Sequence, residues 1–162
     1  MKLSIFCANF STGTSGTLTA KVESVVAQAS WVELQEEIKF VRTQVFIIEQ
    51  CVPENLEWDG LDDTAIHVLA TSMDNKPVGT ARLLASGQIG RMAVLKHLRG
   101  RGIGTALLKK LIQLATDNAV HPLFLNAQIH AIGFYERHGF IPASDVFDDA
   151  GIPHRKMIPG SQ

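Results

Sequence analysis

Between Gly90 and Leu111 the chain passes from a short apolar stretch through the basic turn Leu98-Arg-Gly-Arg-Gly-Ile-Gly104 into a helix-patterned segment. No other stretch constrains the fold as much. Apolar residues at 103, 107, 111 and 114 recur at helical spacing, while Lys109, Lys110 and Gln113 fall on the other side, so the helix is anchored along one face. Its N-terminus is then held at the turn, where unpaired N–H groups and the positive end of the helix dipole favour an anion. Glycines at 100, 102 and 104 keep side chains off the turn, and Arg99 and Arg101 add guanidinium groups able to fork onto phosphate oxygens. No Gly-Lys-Ser/Thr ends the turn, and the Gly-x-Gly-x-x-Gly spacing of a parallel dinucleotide-binding unit is missing. The turn is therefore expected to hold a phosphorylated ligand of another kind.

A chain of 162 residues, 46% of them hydrophobic, suits one domain that buries roughly 70% of its unfolded surface. A net charge of −1 supplies no field for nucleic acid or an anionic membrane surface and leaves a small molecule as the expected partner. Cys7 and Cys51 lie far apart with no metal-binding spacing around them, which points to reduced thiols in the cytoplasm, with no metal and no structural disulfide. Residues 1–18 are short and polar, rich in Ser, Thr and Gly, and are read as a flexible N-terminal extension to a domain spanning 19–162.

In chain order, a first strand is expected within Lys21 to Ala29, and Ser30 with Glu33 forms a capping-box pattern opening a helix, or a helix pair, through Glu49. The acidic stretch Glu54 to Asp63 reads as a loop able to line a cleft. Ala65 to Ser72, Pro77 to Ala85 and Gln88 to Val94 read as three antiparallel strands, joined by turns at Asp74-Asn-Lys and Ser86-Gly87. After the helix come a strand at Leu123 to Ala127, a short helix about His130 to His138 ended by Gly139, and strands at Phe140 to Ala143 and Arg155 to Ile158. The expected class is α/β (α+β): a single domain with a mixed, mostly antiparallel sheet flanked by helices.

Two motifs carry a resemblance. Arg99-x-x-Gly102-x-Gly104 is similar to the diphosphate-binding turn of the GNAT superfamily of N-acetyltransferases, and Phe134-Tyr-x-x-x-Gly-Phe140 is similar to a second hallmark of that superfamily. The order of elements matches over roughly residues 20 to 158. Further pieces, Arg42-x-x-Val45-Phe46-x-x-Glu49-Gln50, Gly79-Thr-Ala-Arg-Leu83, Asn126-Ala-Gln128 and Gly151-Ile-Pro-His154, resemble its ElaA-like branch. The resemblance implies acetyl-CoA as co-substrate and the amine of a small molecule as acceptor; a homodimer is left open. It further implies coenzyme A contacts at Met92, Ala93 and Val94, across the turn Arg99, Gly100, Arg101, Gly102, Ile103, Gly104 and Thr105, and at Asn126. Tyr135 falls where a phenol protonates the departing thiolate.

The base that takes the amine proton is less evident, because the strand Gln88 to Val94 has no carboxylate. His67 and His154 are candidates, as are Glu49, Glu57 and Asp59. A two-residue turn at Ser86-Gly87 sets Arg82 directly opposite Arg91, and like charges across a ladder call for an anion between them, either one of those carboxylates or an acidic group of the acceptor. Arg82, Arg91 and Glu49 are thus candidates for acceptor binding. Two other functions remain open at this point: an acyl-CoA-binding module without turnover, and an acyl-homoserine lactone synthase, which shares the Arg-x-x-Val-Phe opening.

Overall fold

The computed structural model describes residues 23–160, so the extension expected at 1–18 lies outside the described residues. Seven strands form one sheet: β1 (Ser24–Ala29), β2 (Ile66–Ser72), β3 (Pro77–Leu83), β4 (Gln88–Val94), β5 (Phe124–Gln128), β6 (Phe140–Asp149) and β7 (Ile152–Pro159). Their spatial order is β1-β2-β3-β4-β5-β7-β6, and every neighbouring pair is antiparallel except β4 and β5. The expected class holds.

Strand alternation divides the sheet between two layers of helices. Val68, Ala70, Ala81, Leu83, Met92 and Val94 face helices α3 (Ile103–Asp117) and α4 (Ile132–Glu136), where Leu107, Leu108, Leu111 and Phe134 close the main core. Leu69 and Ala93 face the opposite way, toward α1 (Trp31–Arg42), its π-helical continuation Thr43–Glu49 and the short α2 (Glu54–Glu57). The 3.6-residue pattern read in α3 is the pattern of burial: Ile103, Leu107, Leu111 and Leu114 are buried, each contributing about 1.5–3 kcal/mol by leaving water.

Several local expectations are corrected. Ser30 is the N-cap of α1, but its side chain makes no capping hydrogen bond. Leu34, inside the first turn, departs from helical angles (φ −121°, ψ 20°), so the register a capping box needs does not form. The acidic loop contains α2. The last two strands are much longer than expected and meet at Ala150-Gly151, where Asp149 pairs with Ile152 and both turn residues have positive φ (54° and 79°). This is a type I′ hairpin formed without its usual Asn-Gly or Asp-Gly.

The β3–β4 connection is also corrected. Leu84 N–H donates to Gln88 C=O and Gly87 N–H to Leu84 C=O, so the loop is Ala85-Ser86-Gly87, three residues rather than two. Arg82 consequently pairs with Gly90, not Arg91. A bulge between Thr80 and Arg82 then shifts the register, with Arg91 on the bulged strand at φ 48°.

Candidate active site

β4 and β5 pair only at Gln88–Phe124 and Ile89–Leu125. Beyond Ile89 the two strands have no ladder in common, and a gap opens in the middle of the sheet. Leu95 N–H donates to Val78 C=O at 3.0 Å. Because successive residues of an antiparallel strand direct their backbone groups to alternate sides, Val94 turns its N–H and C=O away from β3 and into the gap. The Val94 carbonyl accepts a bond from Arg99 Nε at 2.9 Å.

The glycine-rich turn and the start of α3 stand at the mouth of this gap. Gly102 is the N-cap with φ 88° and no side chain caps the helix; the first bond within it runs from Ala106 N–H to Gly102 C=O. The amides of Ile103, Gly104 and Thr105 therefore have no helical acceptors. A Cβ on Gly100 or Gly102 would meet nothing within 4 Å, so these residues are glycine for their left-handed backbone and leave an open approach to the amides. Gly104 differs from them. Its Cβ would point inward, 3.7 Å from the Phe134 ring and 3.9 Å from Met92 Cε, ordinary contacts that leave room for a methyl group.

Tyr135 of α4 is 2% exposed, and its hydroxyl donates to Met92 Sδ at 3.8 Å. Edge-on contacts with Phe134 and Phe140 hold the ring. Burial raises the phenol well above its ordinary pKa, so the group keeps its proton. The α3 side of β4 thus carries a protonated phenol over Met92.

On the opposite face, His154 of β7 pairs with Gln128 of β5, and Gln128 Nε2 donates to Gln50 Oε1 at 3.4 Å. His154 is fully buried; its Nδ1 lies 2.8 Å from Ile152 C=O and its Nε2 has no hydrogen-bond partner. A carbonyl only accepts, so Nδ1 carries the hydrogen of that bond. Gln50 and Gln128 were not among the expected site residues, although both stand in stretches that resemble the ElaA-like branch.

Arg82 and Arg91 do share a face and an anion, but through the bulge rather than by direct pairing. Asp59 receives Arg82 Nη2 at 2.7 Å and Arg91 Nη2 at 3.2 Å. Arg42 joins them, bonded to Glu57 and to Asp62 Oδ1 (2.7 Å), while the same Asp62 oxygen accepts from Arg82 at 2.8 Å. Three guanidinium groups thus face three carboxylates. Burial works against ionising Asp59, but hydrogen bonding and charge from Arg82, then Arg91, outweigh it and hold its carboxyl at about 2. Asp62 is lowered in the same way by Arg42 and Arg82. Burial pushes Glu57 up, against the pull of Arg42 and Arg91. Burial also brings Arg91 down to about 10. Asp62 and Arg42 stand outside the expected site residues; an arginine ahead of an acidic loop is the signal in the sequence that points to them.

This cluster accounts for most of the expected acceptor and base candidates. Glu57 and Asp59 are engaged by arginines, and Asp59, held low, is a poor proton acceptor; Arg82 and Arg91 are neutralised from within the protein, the first of the two readings their facing charges allowed. His67 stands on β2, two strands from the gap, with Nε2 2.9 Å from Asp62 C=O and its ring stacked on Trp31; burial lowers its pKa. It buttresses the cluster. Glu49 is not part of it: both its oxygens are 2.7 Å from Arg99, whose hydrogen bonds hold the carboxyl low. Arg99, expected on the diphosphate, bridges Glu49 and Val94. Arg101 is exposed at the turn, and Asn126 lies on β5 opposite Lys156. No group of three or more metal-ligating side chains occurs among the described residues.

Comparison with known proteins assigns the class. The model of the acetyltransferase (GNAT) domain matches residues 25–158, and the chain belongs to that family. YjcF of Bacillus subtilis, described as an uncharacterised N-acetyltransferase, is 37% identical over 131 residues, covering 76% of this chain and 93% of that protein. ElaA of Escherichia coli is 35% identical over 125 residues, covering 72% and 81%. Its crystal structure superposes with a TM-score of 0.73 at 32% identity, covering 85% of this chain and 98% of that one. An acyl-CoA N-acyltransferase from Pseudomonas aeruginosa gives 0.72 at 30% identity, covering 85% and 99%. The chain is a GNAT acetyltransferase homologous to ElaA, and the family uses an acyl-CoA co-substrate.

Proposed function

We propose that this acetyltransferase moves an acetyl group from acetyl-CoA to the amine of a small molecule by direct attack. One observation carries the reading: the β4–β5 ladder ends at Ile89 and leaves Val94 N–H and C=O turned from β3, beside a helix N-terminus whose first amides have no helical acceptors. The amides of residues 103–105 would take the diphosphate, and Met92 to Val94 the pantetheine arm, as an added strand pairs with an open edge. Val94 N–H, directed into the gap, is placed to stabilise charge on the thioester oxygen.

In the transfer, the amine nitrogen forms a bond to the acyl carbon and the C–S bond breaks. The amine proton passes to His154 Nε2, and the thiolate takes the Tyr135 proton. His154 is preferred over His67 as base because its free nitrogen lies on the strand next to β5. Glu49 acts as a positioning residue, fixing Arg99 between the turn and the β4 edge. A buried phenol beside Met92 favours turnover over a binding module, and the complete diphosphate turn favours free acetyl-CoA over the lactone-synthase reading. The exposed thiol of Cys51 suits a reducing cytoplasm, and a homodimer is open to measurement by sedimentation.

The test separates binding from chemistry. Tyr135→Phe keeps the ring and its apolar contacts while removing the donor, so turnover should fall about 10²-fold or more with acetyl-CoA affinity and melting temperature nearly unchanged. A fully active Tyr135→Phe protein would sink the assignment.

A further inference from the structure

Along the outer side of α1, two adjoining hollows of about 520 and 410 Å³ share Phe40, Leu95 and His97. The first continues over Pro77, Val78 and Leu98 and is walled mostly by hydrocarbon. The second ends at Glu49 and Lys96, next to Arg99, which is bonded to Val94 at the edge of the gap. The two make one groove that ends beside the Glu49–Arg99 pair. Phe40 is 48% exposed in its wall, where Pro77, Val78, Leu95 and Leu98 make it part of an apolar lining rather than an isolated surface residue.

We infer that this groove receives the body of the acceptor and selects an apolar monoamine, an alkyl or arylalkyl primary amine, over a polyamine. The inference rests on the acetyl-transfer reading for the position of the nitrogen. Charge decides between the two classes of amine. At the inner end Lys96 and Arg99 face the single carboxylate Glu49, which Arg99 already engages through both oxygens. That excess of positive charge favours the neutral amine, the form that attacks. At the outer end Lys76 holds the Asp74 carboxylate at 2.9 Å. Neither end offers an unengaged carboxylate to a second ammonium, and between them hydrocarbon walls would strip its hydration.

The experiment uses the full chain with n-propylamine, n-pentylamine, n-heptylamine and 1,7-diaminoheptane, in two measurements. Thiol release from acetyl-CoA should show kcat/KM rising about three- to four-fold per added methylene, with 1,7-diaminoheptane well below n-heptylamine. Calorimetry without acetyl-CoA should show the same order of affinities. Phe40→Ser, which touches an exposed side chain, should flatten both series; Val32→Ser, on an exposed position of α1 away from the groove, should leave both slopes as they are. Equal binding of propyl and heptyl amines, an unchanged slope in Phe40→Ser, or tighter binding of the diamine would each overturn the inference. Failure of the transfer reading has a different signature: acetyl-CoA fails to bind or release thiol, while the calorimetric amine series still reports on the groove by itself.

Discussion

Replacing Asp59 by Asn tests the account of the buried charge cluster, because the substitution keeps side-chain size and removes one of its three carboxylate charges. The Asp59 carboxyl is held at about 2 against an ordinary 3.8, a displacement worth about 2.4 kcal/mol at 1.36 kcal/mol per pH unit. Solvent reaching one side of the carboxylate screens part of this, leaving about 1–2 kcal/mol. In a chain of 162 residues that corresponds to a loss of about 2–8 °C in melting temperature at pH 7. The sign with pH follows from linkage. A depressed carboxyl stabilises the folded state above its unfolded pKa of about 3.9 and ceases to do so as pH falls through its folded value. The stability gap between wild type and Asp59→Asn should therefore be constant from pH 7 to about 5, fall to about half near pH 3, and close near pH 2. Urea unfolding at pH 7, 5 and 3 measures it. A gap that is absent at pH 7, or as large at pH 3 as at pH 7, would refute the reasoning.

Three further substitutions report on the other layers. Gly102→Val forces a β-branched residue to φ 88° and should cost about 1–3 kcal/mol in urea unfolding while weakening acetyl-CoA binding in calorimetry; Gly104→Ala, with only ordinary contacts awaiting its Cβ, should preserve binding. His154→Gln should lower turnover about 10²-fold with acetyl-CoA affinity retained, read by steady-state thiol release beside calorimetry. Leu111→Ala, at a fully buried position, should cost about 2–5 kcal/mol by leaving a cavity, read by thermal melting.

What could be read in the chain beforehand was whatever depends on local periodicity. The α3 helix, the β2–β3–β4 meander and the turn at Gly102 follow from residues within a few positions of one another. The arrangement of the buried charges did not, because it depends on one irregular residue. Counting a two-residue turn places Arg82 opposite Arg91, yet the loop has three residues and the ladder pairs Arg82 with Gly90. The error in register is offset by the bulge at Arg91, so both side chains still reach Asp59. Nothing in Ile89-Gly-Arg-Met announces a non-glycine residue at φ 48°. The long β6–β7 hairpin was missed for the same reason, since Ala150 takes a left-handed conformation that sequence rules reserve for Asn, Asp or Gly. His154 was legible as a residue type but not as a state; its fixed tautomer depends on Ile152 C=O within that hairpin.

The bulge also explains how one strand serves two chemistries. Ile89 faces the α3 layer, and strict alternation from it would send Arg91 into the same apolar core and Met92 to the α1 side. The structure has the reverse: Met92 lies in the core beneath Tyr135, and Arg91 is on the α1 side among Glu57 and Asp59. A non-glycine residue with positive φ costs on the order of 1–3 kcal/mol. Burying an unpaired guanidinium among Leu107, Leu108 and Leu111 would cost more. Charge therefore sets the parity of β4. That parity brings Met92 beneath the Tyr135 hydroxyl on the α3 side and leaves Ala93 with Val45 and Phe46 on the α1 side, so one strand meets an apolar core on one face and a buried charge cluster on the other.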